Sequence, residues 1–415
     1  MLSGLAQTLR PAPLDRGLLL VFFGLLLLGL VMVYSASQPL PGSETTPSLW
    51  RQLRGHPMHL ALGLLFFWLM LSIPIDLWER YSGLLFGIGI ALLAAVAAIK
   101  LIGGASFIKD GAVRALPLGV ITLQPAELVK LFALVYAAAY AVRRQERMRY
   151  ELLKGLAPIG SLMALVIALL LYQPDLGSTM VITATVMAVL FLGGMSLRVV
   201  FPLGLLLIGF FAAMVYFTPW RLGRLMSYLT PCDPTHVAST GYQLCGALIA
   251  FGHGGLFGSG LGTGIAKMGH LPLPHTDFIF AVIGEELGFV GVMAVLLAFA
   301  YLVRRAVEVG RQAMSQERLF AGLVAQGIGV WIGIQTFIHA GVNTGLLPTK
   351  GLTLPFISHG GSSMLVVCLA MGVLIRIDME NRARIRGTPL PDPRQSARID
   401  SVSGRGQSVA RWSDA

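Results

Sequence analysis

The sequence predicts an all-α polytopic membrane protein of about ten transmembrane helices with one large extracytoplasmic loop. Two observations predict it. The chain is 55% hydrophobic and only 12% charged, with mean hydropathy +0.74, whereas a soluble domain carries roughly 25% charged residues. Apolar runs with few charges recur along its whole length, and runs of about 18 or more residues have the length to cross a bilayer.

The first run, GLLLVFFGLLLLGLVMVY at 17–34, follows a basic flank as a secretory signal would. It is too long for a signal core of about 7–15 residues and reads as the first helix. The ten expected spans are 17–36, 57–75, 81–101, 125–142, 155–172, 178–196, 199–217, 277–303, 319–340 and 360–376. An even number puts both termini on one side. With the termini cytoplasmic, 21 Lys and Arg fall on that side and 9 on the other, so the positive-inside rule gives an N-in, C-in arrangement. The chain then divides into a cytoplasmic tail 1–16, a membrane domain 17–376 with an outer loop 218–276, and a basic tail 377–415 expected to be disordered. Net charge is +11. It lies in alternate loops and the tail, which fits membrane topology and gives no nucleic-acid signature.

There are three cysteines, Cys232, Cys245 and Cys368, with no CxxC and no zinc-type spacing. Cys232 and Cys245 share the outer loop, and unpaired small residues are expected rather than a disulfide. His253, His270, His275, His339 and His359 lack metal-ligand spacing, so no metal site is assigned. There is no GxSxG, HExxH or P-loop, no dinucleotide fingerprint and no clear internal repeat.

Charge inside the spans is the functional signal. In LPLPHTDFIFAVIGEELG, 271–288, Asp277 opens the eighth helix, where a carboxylate suits the N-cap as well as chemistry. On a continuous helix Glu285 would lie about 12 Å deeper and turned about 80° from Asp277, with Glu286 about 180° away. In TLQPAELVK, 122–130, Pro125 starts a helix, and Glu127 and Lys130 share a face. They read either as a self-neutralised structural pair or as the lining of a polar cavity. Asp175 sits in the outer turn YQPDLGS, as a turn or cap residue or as a site group. The glycines of GHGGLFGSGLGTG, 252–264, allow tight backbone paths or close approach of a bulky ligand. HAGVNTGLLPTKGLTLPFISHGGSSM, 339–364, with the lone cation Lys350, reads as a re-entrant or cavity-lining segment.

Together these segments resemble the SEDS family (shape, elongation, division and sporulation) of peptidoglycan polymerases, from about residue 17 to 386. The marks are QPAE at 124–127 with Lys130, QPDLGS at 173–178, GGLFGSGLG at 254–262, HTDFIFAVIGEELG at 275–288 and LPFISHGGSS at 354–363. LPTKGLTLPFISHGG looks like the cell-division branch, FtsW, rather than the elongation branch, RodA. Two departures stand out. GAVRALPLG replaces the family's GARRWI-like stretch around Arg114, and Leu273 replaces a carboxylate two residues before His275.

The resemblance implies a ten-span SEDS fold in the cytoplasmic (inner) membrane at the division septum. The implied substrate is lipid II, joined into β-1,4 glycan outside the membrane. Asp277 corresponds to the catalytic aspartate, and Glu127 and Lys130 to the polar cavity pair. The donor is α-linked and the product β-linked, so the centre inverts and needs a base; Asp277 takes that role, with a pKa not raised far. Arg114, Asp175, Lys350 and Glu285 complete the candidate substrate contacts. Lys130, Arg114, Lys350 or a divalent cation (Mg2+ or Mn2+) would carry the diphosphate charge, and Glu285 would pair within the bundle. A class B penicillin-binding protein transpeptidase is the implied partner, with other divisome membrane proteins. A lipid II flippase and a non-catalytic divisome scaffold stand as alternatives.

Overall fold

In a computed structural model, residues 14–37, 47–102, 114–118, 121–150, 152–234, 241–268, 271–348 and 351–387 are described. The helices in chain order are α1 (Arg16–Ala36), α2 (Pro47–Ser72), α3 (Ile75–Ile102), α4 (Pro125–Arg143), α5 (Gln145–Tyr150), α6 (Leu152–Tyr172) and α7 (Leu176–Leu192). They continue with α8 (Leu197–Tyr216), α9 (Pro219–Leu229), α10 (Tyr242–Gly254), α11 (Ile279–Ser315), α12 (Leu319–Asn343) and α13 (Gly361–Ile385). Among the described residues nine of these are long and apolar enough to cross a membrane, and α7, at 17 residues, is a shorter apolar tenth. The expected ten-helix architecture is therefore present.

Starts follow local chemistry. Asp15 caps α1 by accepting from Leu18 N at 3.0 Å. Asp175 caps α7 through Ser178 N at 3.0 Å. Pro125 opens α4, where its missing N–H costs nothing. Packing then sorts the helices. Most of α4, α12 and α13 is buried, while α8 buries only Phe211.

Several expectations are corrected. α2 begins at Pro47, ten residues before the expected span, and carries Pro57 inside it. A short antiparallel strand pair, β1 (Leu116–Leu118) with β2 (Ile121–Leu123), is added to the expected all-α fold without changing its class. Cys232 and Cys245 form a disulfide, contrary to the expectation of unpaired residues. The fold brings the start of α10 beside the segment after α9, which no spacing rule showed. The last helix runs to Ile385, so residues 377–385, expected in a disordered tail, are helical. Arg376, Asp378 and Asn381 are buried in the bundle. The rest of the tail, 388–415, lies outside the described residues.

α11 is broken. Gly288 takes φ 68 and ψ −168, the region open to glycine. A break there orphans the carbonyls of Glu285 and Glu286 and the amides of Phe289 and Val290. The glycine-rich loop satisfies all four. Ser259 N donates to Glu285 O at 2.9 Å and Gly260 N to Glu286 O at 3.1 Å. Phe289 N donates to Gly255 O at 2.9 Å and Val290 N to Leu256 O at 3.1 Å. A Cβ on Gly258 would lie 2.1 Å from Glu286 O, and that residue also has φ 82. Close backbone approach is thus the use of these glycines.

The bundle has two ends. At the basic end Arg305 meets Asp15 at 2.5 Å, and Arg382 bridges Asp15 at 3.0 Å and Asp378 at 2.7 Å. Arg318 pairs with Glu380. The network ties α1, α11 and α13 together. The opposite, loop end carries the hairpin, the 173–175 turn, α9, α10 and the segments 255–268, 271–278, 344–348 and 351–360.

Candidate active site

A cavity of about 1240 Å³ opens at the loop end. Its polar part is formed by Asp277, Arg114, Asp175 and Arg221. Its apolar wall runs down facing sides of α7 and α8, through Met180, Met187, Leu207, Ile208 and Phe211. Because α8 stands away from the bundle for most of its length, the apolar wall belongs to the membrane-facing side of the cavity.

Asp277 lies in the turn before α11 and does not cap that helix. The N-cap is Phe278, and no side chain serves there. The capping explanation for Asp277 is removed. Burial raises its pKa from the usual 3.8 to about 6, with the Arg114 charge pulling the other way. That is higher than expected from sequence, yet leaves the group mostly ionised at neutral pH. Gly351 faces it closely, since a Cβ there would sit 3.2 Å from Asp277 Oδ2.

Arg114 donates to the carbonyls of Gln173 and Pro174 at 3.3 and 3.1 Å, which locks it over the turn that precedes α7. Asp175 follows in that turn. Its Oδ1 caps α7, and its buried Oδ2 has no hydrogen-bond partner. Asp277, Arg114 and Asp175 are therefore brought together from three separate stretches of sequence.

The other candidates are placed elsewhere. Glu127 and Lys130 are buried, pair at 2.7 Å and do not line the cavity. Lys130 also reaches Gln335 Oε1 at 3.2 Å, and Gln335 donates to Thr353 O at 2.8 Å. The self-neutralised pair is the arrangement found, linking α4 to α12 and to the segment before α13. Glu285 accepts from Ile265 N at 2.8 Å and Ala266 N at 3.2 Å, with His253 Nδ1 at 3.1 Å. It holds the loop and has no face on the cavity. The helix is regular from Ile279 to the break at Gly288, so the departure from the expected geometry lies at Asp277, which stands in the turn before the helix. Lys350 lies outside the described residues, as does His270.

Sequence reasoning missed four features near the site. Asn343, at the last turn of α12, reaches the backbone of Asp277. Lys267 pairs with Glu286. Arg221 reaches the cavity from the short helix α9. His56, His59 and His275 gather around His359, with ring centres 5.3 to 6.2 Å from it. Each depends on contacts between distant segments, and only the polar character of 339–364 hinted at the first.

The chain matches the sequence model of the FtsW/RodA/SpoVE family, described as cell cycle proteins, over residues 16–383. It is 45% identical over 380 residues to a probable peptidoglycan glycosyltransferase FtsW of Burkholderia thailandensis, covering 91% of this chain and 81% of that protein. A protein of the same description from Aromatoleum aromaticum is 46% identical over 388 residues, covering 92% and 93%. Among solved structures, RodA of Thermus thermophilus superposes with TM-score 0.61 at 29% identity, covering 89% of this chain and 97% of that one. A chain from a structure on the coordination of polymerization and crosslinking by a peptidoglycan synthase complex superposes with TM-score 0.69 at 27% identity, covering 89% and 98%. A match across nearly the whole membrane domain, with relatives this similar over this length, places the chain in the FtsW/RodA/SpoVE family, the SEDS membrane proteins.

Proposed function

We propose that the chain is a peptidoglycan glycosyltransferase that polymerises lipid II at the outer face of the cytoplasmic membrane during septal wall synthesis, with Asp277 as general base. One observation carries this. A half-buried, cavity-facing carboxylate, near a guanidinium held by two backbone carbonyls, stands where a polar pocket meets an apolar wall. A polyprenyl diphosphate sugar has the same two parts. The names borne by the relatives support the class of activity. The charge asymmetry supports the loop end as the outer end.

In this reading the apolar wall of α7 and α8 takes the lipid chain, and the polar end takes the diphosphate and sugars. Asp277 removes the proton from the acceptor hydroxyl as its oxygen attacks the donor anomeric carbon from the face opposite the diphosphate. The new glycosidic C–O bond forms as the bond to the diphosphate breaks, with inversion, and the proton rests on Asp277. A base with a pKa near the working pH is effective in this role, and such catalysis contributes about 10²–10⁴-fold. Arg114 offsets negative charge on the leaving diphosphate.

Among the described residues no group of three or more His, Cys, Asp or Glu is placed to hold a metal ion. Mg2+ takes one or two carboxylates and completes its shell with substrate phosphates. The unpartnered Asp175 Oδ2 fits such a partial site. A divalent cation held by Asp175 and the substrate would supply charge neutralisation at the diphosphate.

The likeness to a chain of a peptidoglycan synthase complex supports a transpeptidase of the class B penicillin-binding type as partner. The test is a lipid II polymerisation assay on purified protein, wild type and Asp277→Asn, with and without that transpeptidase. Long glycan strands are expected from wild type and none from Asp277→Asn. Strands made by Asp277→Asn overturn the base assignment. No strands from wild type under either condition favour a lipid carrier or scaffold.

A further inference from the structure

We propose that Asn343 is a positioning residue, which together with Ser358 holds the Asp277 turn so that the carboxylate faces the cavity. This rests on the reading of Asp277 as the base.

Three consecutive carbonyls, those of His275, Thr276 and Asp277, are each held by a different donor from one stretch of chain. His359 N donates to His275 O at 2.9 Å. Ser358 Oγ donates to Thr276 O at 2.7 Å. Asn343 Nδ2 donates to Asp277 O at 3.0 Å. A turn outside regular structure has no ladder of its own to satisfy these carbonyls, so their partners decide its path.

Asn343 does more than donate once. It is fully buried at the end of α12. Its Nδ2 also donates to His339 O at 2.9 Å, within its own helix. Its Oδ1 accepts from Ala281 N at 3.2 Å, in the first turn of α11. One amide therefore spans from the carbonyl of Asp277 to the amide four residues on, fixing the exit from the turn against the helix that follows. The assignment of oxygen and nitrogen is set by these partners. Reversed, the NH2 would face the Ala281 N–H and the oxygen would face two carbonyls.

The grip is itself anchored. Ser358 Oγ accepts from Leu354 N at 2.8 Å, so the hydroxyl hydrogen is directed to Thr276. Leu354, Phe356 and Ile357 on that stretch are buried in the core. Asp277 itself faces Arg114 from the segment before the hairpin, with Asp175 from the turn before α7 and Arg221 from α9 on the same cavity wall. The hydrogen bonds of the Asn343 amide go to the backbone of Asp277, His339 and Ala281, so its loss acts on the carboxylate through the backbone of the turn.

The experiment is steady-state lipid II polymerisation by detergent-purified full-length Asn343→Ala, normalised to folded, monodisperse protein, with its pH profile. A misplaced catalytic group costs up to about 100-fold. The expected result is a fall in kcat of about 10–100-fold, KM for lipid II within about two-fold of wild type, and an acid limb displaced to lower pH as the carboxylate gains water. A kcat per folded molecule within about two-fold of wild type, or a reduced kcat with an unmoved acid limb, overturns the inference. If Asn343→Ala does not fold, Ser358→Ala carries the same test with the same outcomes. The base reading fails separately, through activity in Asp277→Asn. An inactive Asp277→Asn beside an unaffected Asn343→Ala sinks the positioning role alone.

Discussion

Lys267 Nζ stands 2.7 Å from Glu286 Oε1, with both side chains sealed from solvent. Ser35 Oγ reaches the same carboxylate at 2.7 Å, and Gly262 N donates to it at 3.1 Å. One buried group thus joins α1, α11 and the glycine-rich loop just before the break at Gly288. The loop in turn supplies the backbone partners that the break requires. The unit keeps the short first segment of α11, and the Asp277 turn ahead of it, in a fixed relation to the bundle.

Removing one partner of such a pair leaves the other charge buried and alone, at a cost of about 3–5 kcal/mol. Glu286→Ala is therefore expected to lower the unfolding temperature in detergent sharply. The double variant Lys267→Met with Glu286→Leu is expected to recover most of the loss, because no charge remains to desolvate. A Glu286→Ala protein that melts like wild type would show that the pair does not anchor the loop.

With Asp277 as the proposed base, polymerisation is expected to depend on pH. Its carboxylate titrates at about 6, raised by burial, and only the ionised form accepts a proton. The rate is expected to fall as pH drops through 6 and to be half its plateau near that value. At pH 7 about nine-tenths of the groups are ionised. A kcat/KM profile flat from pH 7 to pH 5 would exclude Asp277 as the titrating base.

The same shift predicts a stability difference of opposite sense. A carboxyl whose pKa is higher folded than unfolded favours the folded state fully below the unfolded value of 3.8. That contribution is lost as pH rises through about 6. Above that pH the ionised Asp277 weakens the fold, and an amide in its place does not. Asp277→Asn is expected to be more stable than wild type at pH 8, by about 1–3 kcal/mol, and to lose that advantage by pH 4. Thermal unfolding of both proteins at the two pH values checks it. An Asp277→Asn protein less stable at pH 8 would show a structural role for the carboxylate.

Much of this was legible in the amino-acid order. Span number, the Asp175 turn and the choice of Asp277 as the candidate base follow from apolar length and from the cost of charge at depth. What was illegible depends on partners far along the chain. Glu127 and Lys130 read equally well as a cavity lining or a closed pair, and only Gln335 on α12 decides between them. Glu285 looked like an inward-facing site group and Glu286 suggested no role, because nothing near them in sequence announces Lys267 or the amides of Ile265 and Ala266. Gly288 lies in an apolar run that suits an unbroken helix, and its break is stable only because residues 255–260 complete the hydrogen bonds. Asn343 sits in a polar, turn-rich stretch, yet its partner is 66 residues away.

Arg114 gives the sharpest test of the site's electrostatics. It stands in a stretch that departs from the family pattern, so its role here rests on geometry. Its guanidinium is held by the carbonyls of Gln173 and Pro174, and its charge is the one that pulls the Asp277 pKa down against burial. Removing it leaves burial unopposed. Arg114→Ala is therefore expected to move the acid limb above pH 6 and to raise KM for lipid II, since the diphosphate loses a cation as well. Arg114→Lys keeps the charge but not the planar fork that spans two carbonyls, and should restore the limb only in part. The two effects separate by pH. At pH 8.5, where Asp277 is ionised in every variant, the KM increase should persist while the protonation loss disappears. An acid limb that stays near pH 6 in Arg114→Ala would mean that another group sets the ionisation of Asp277.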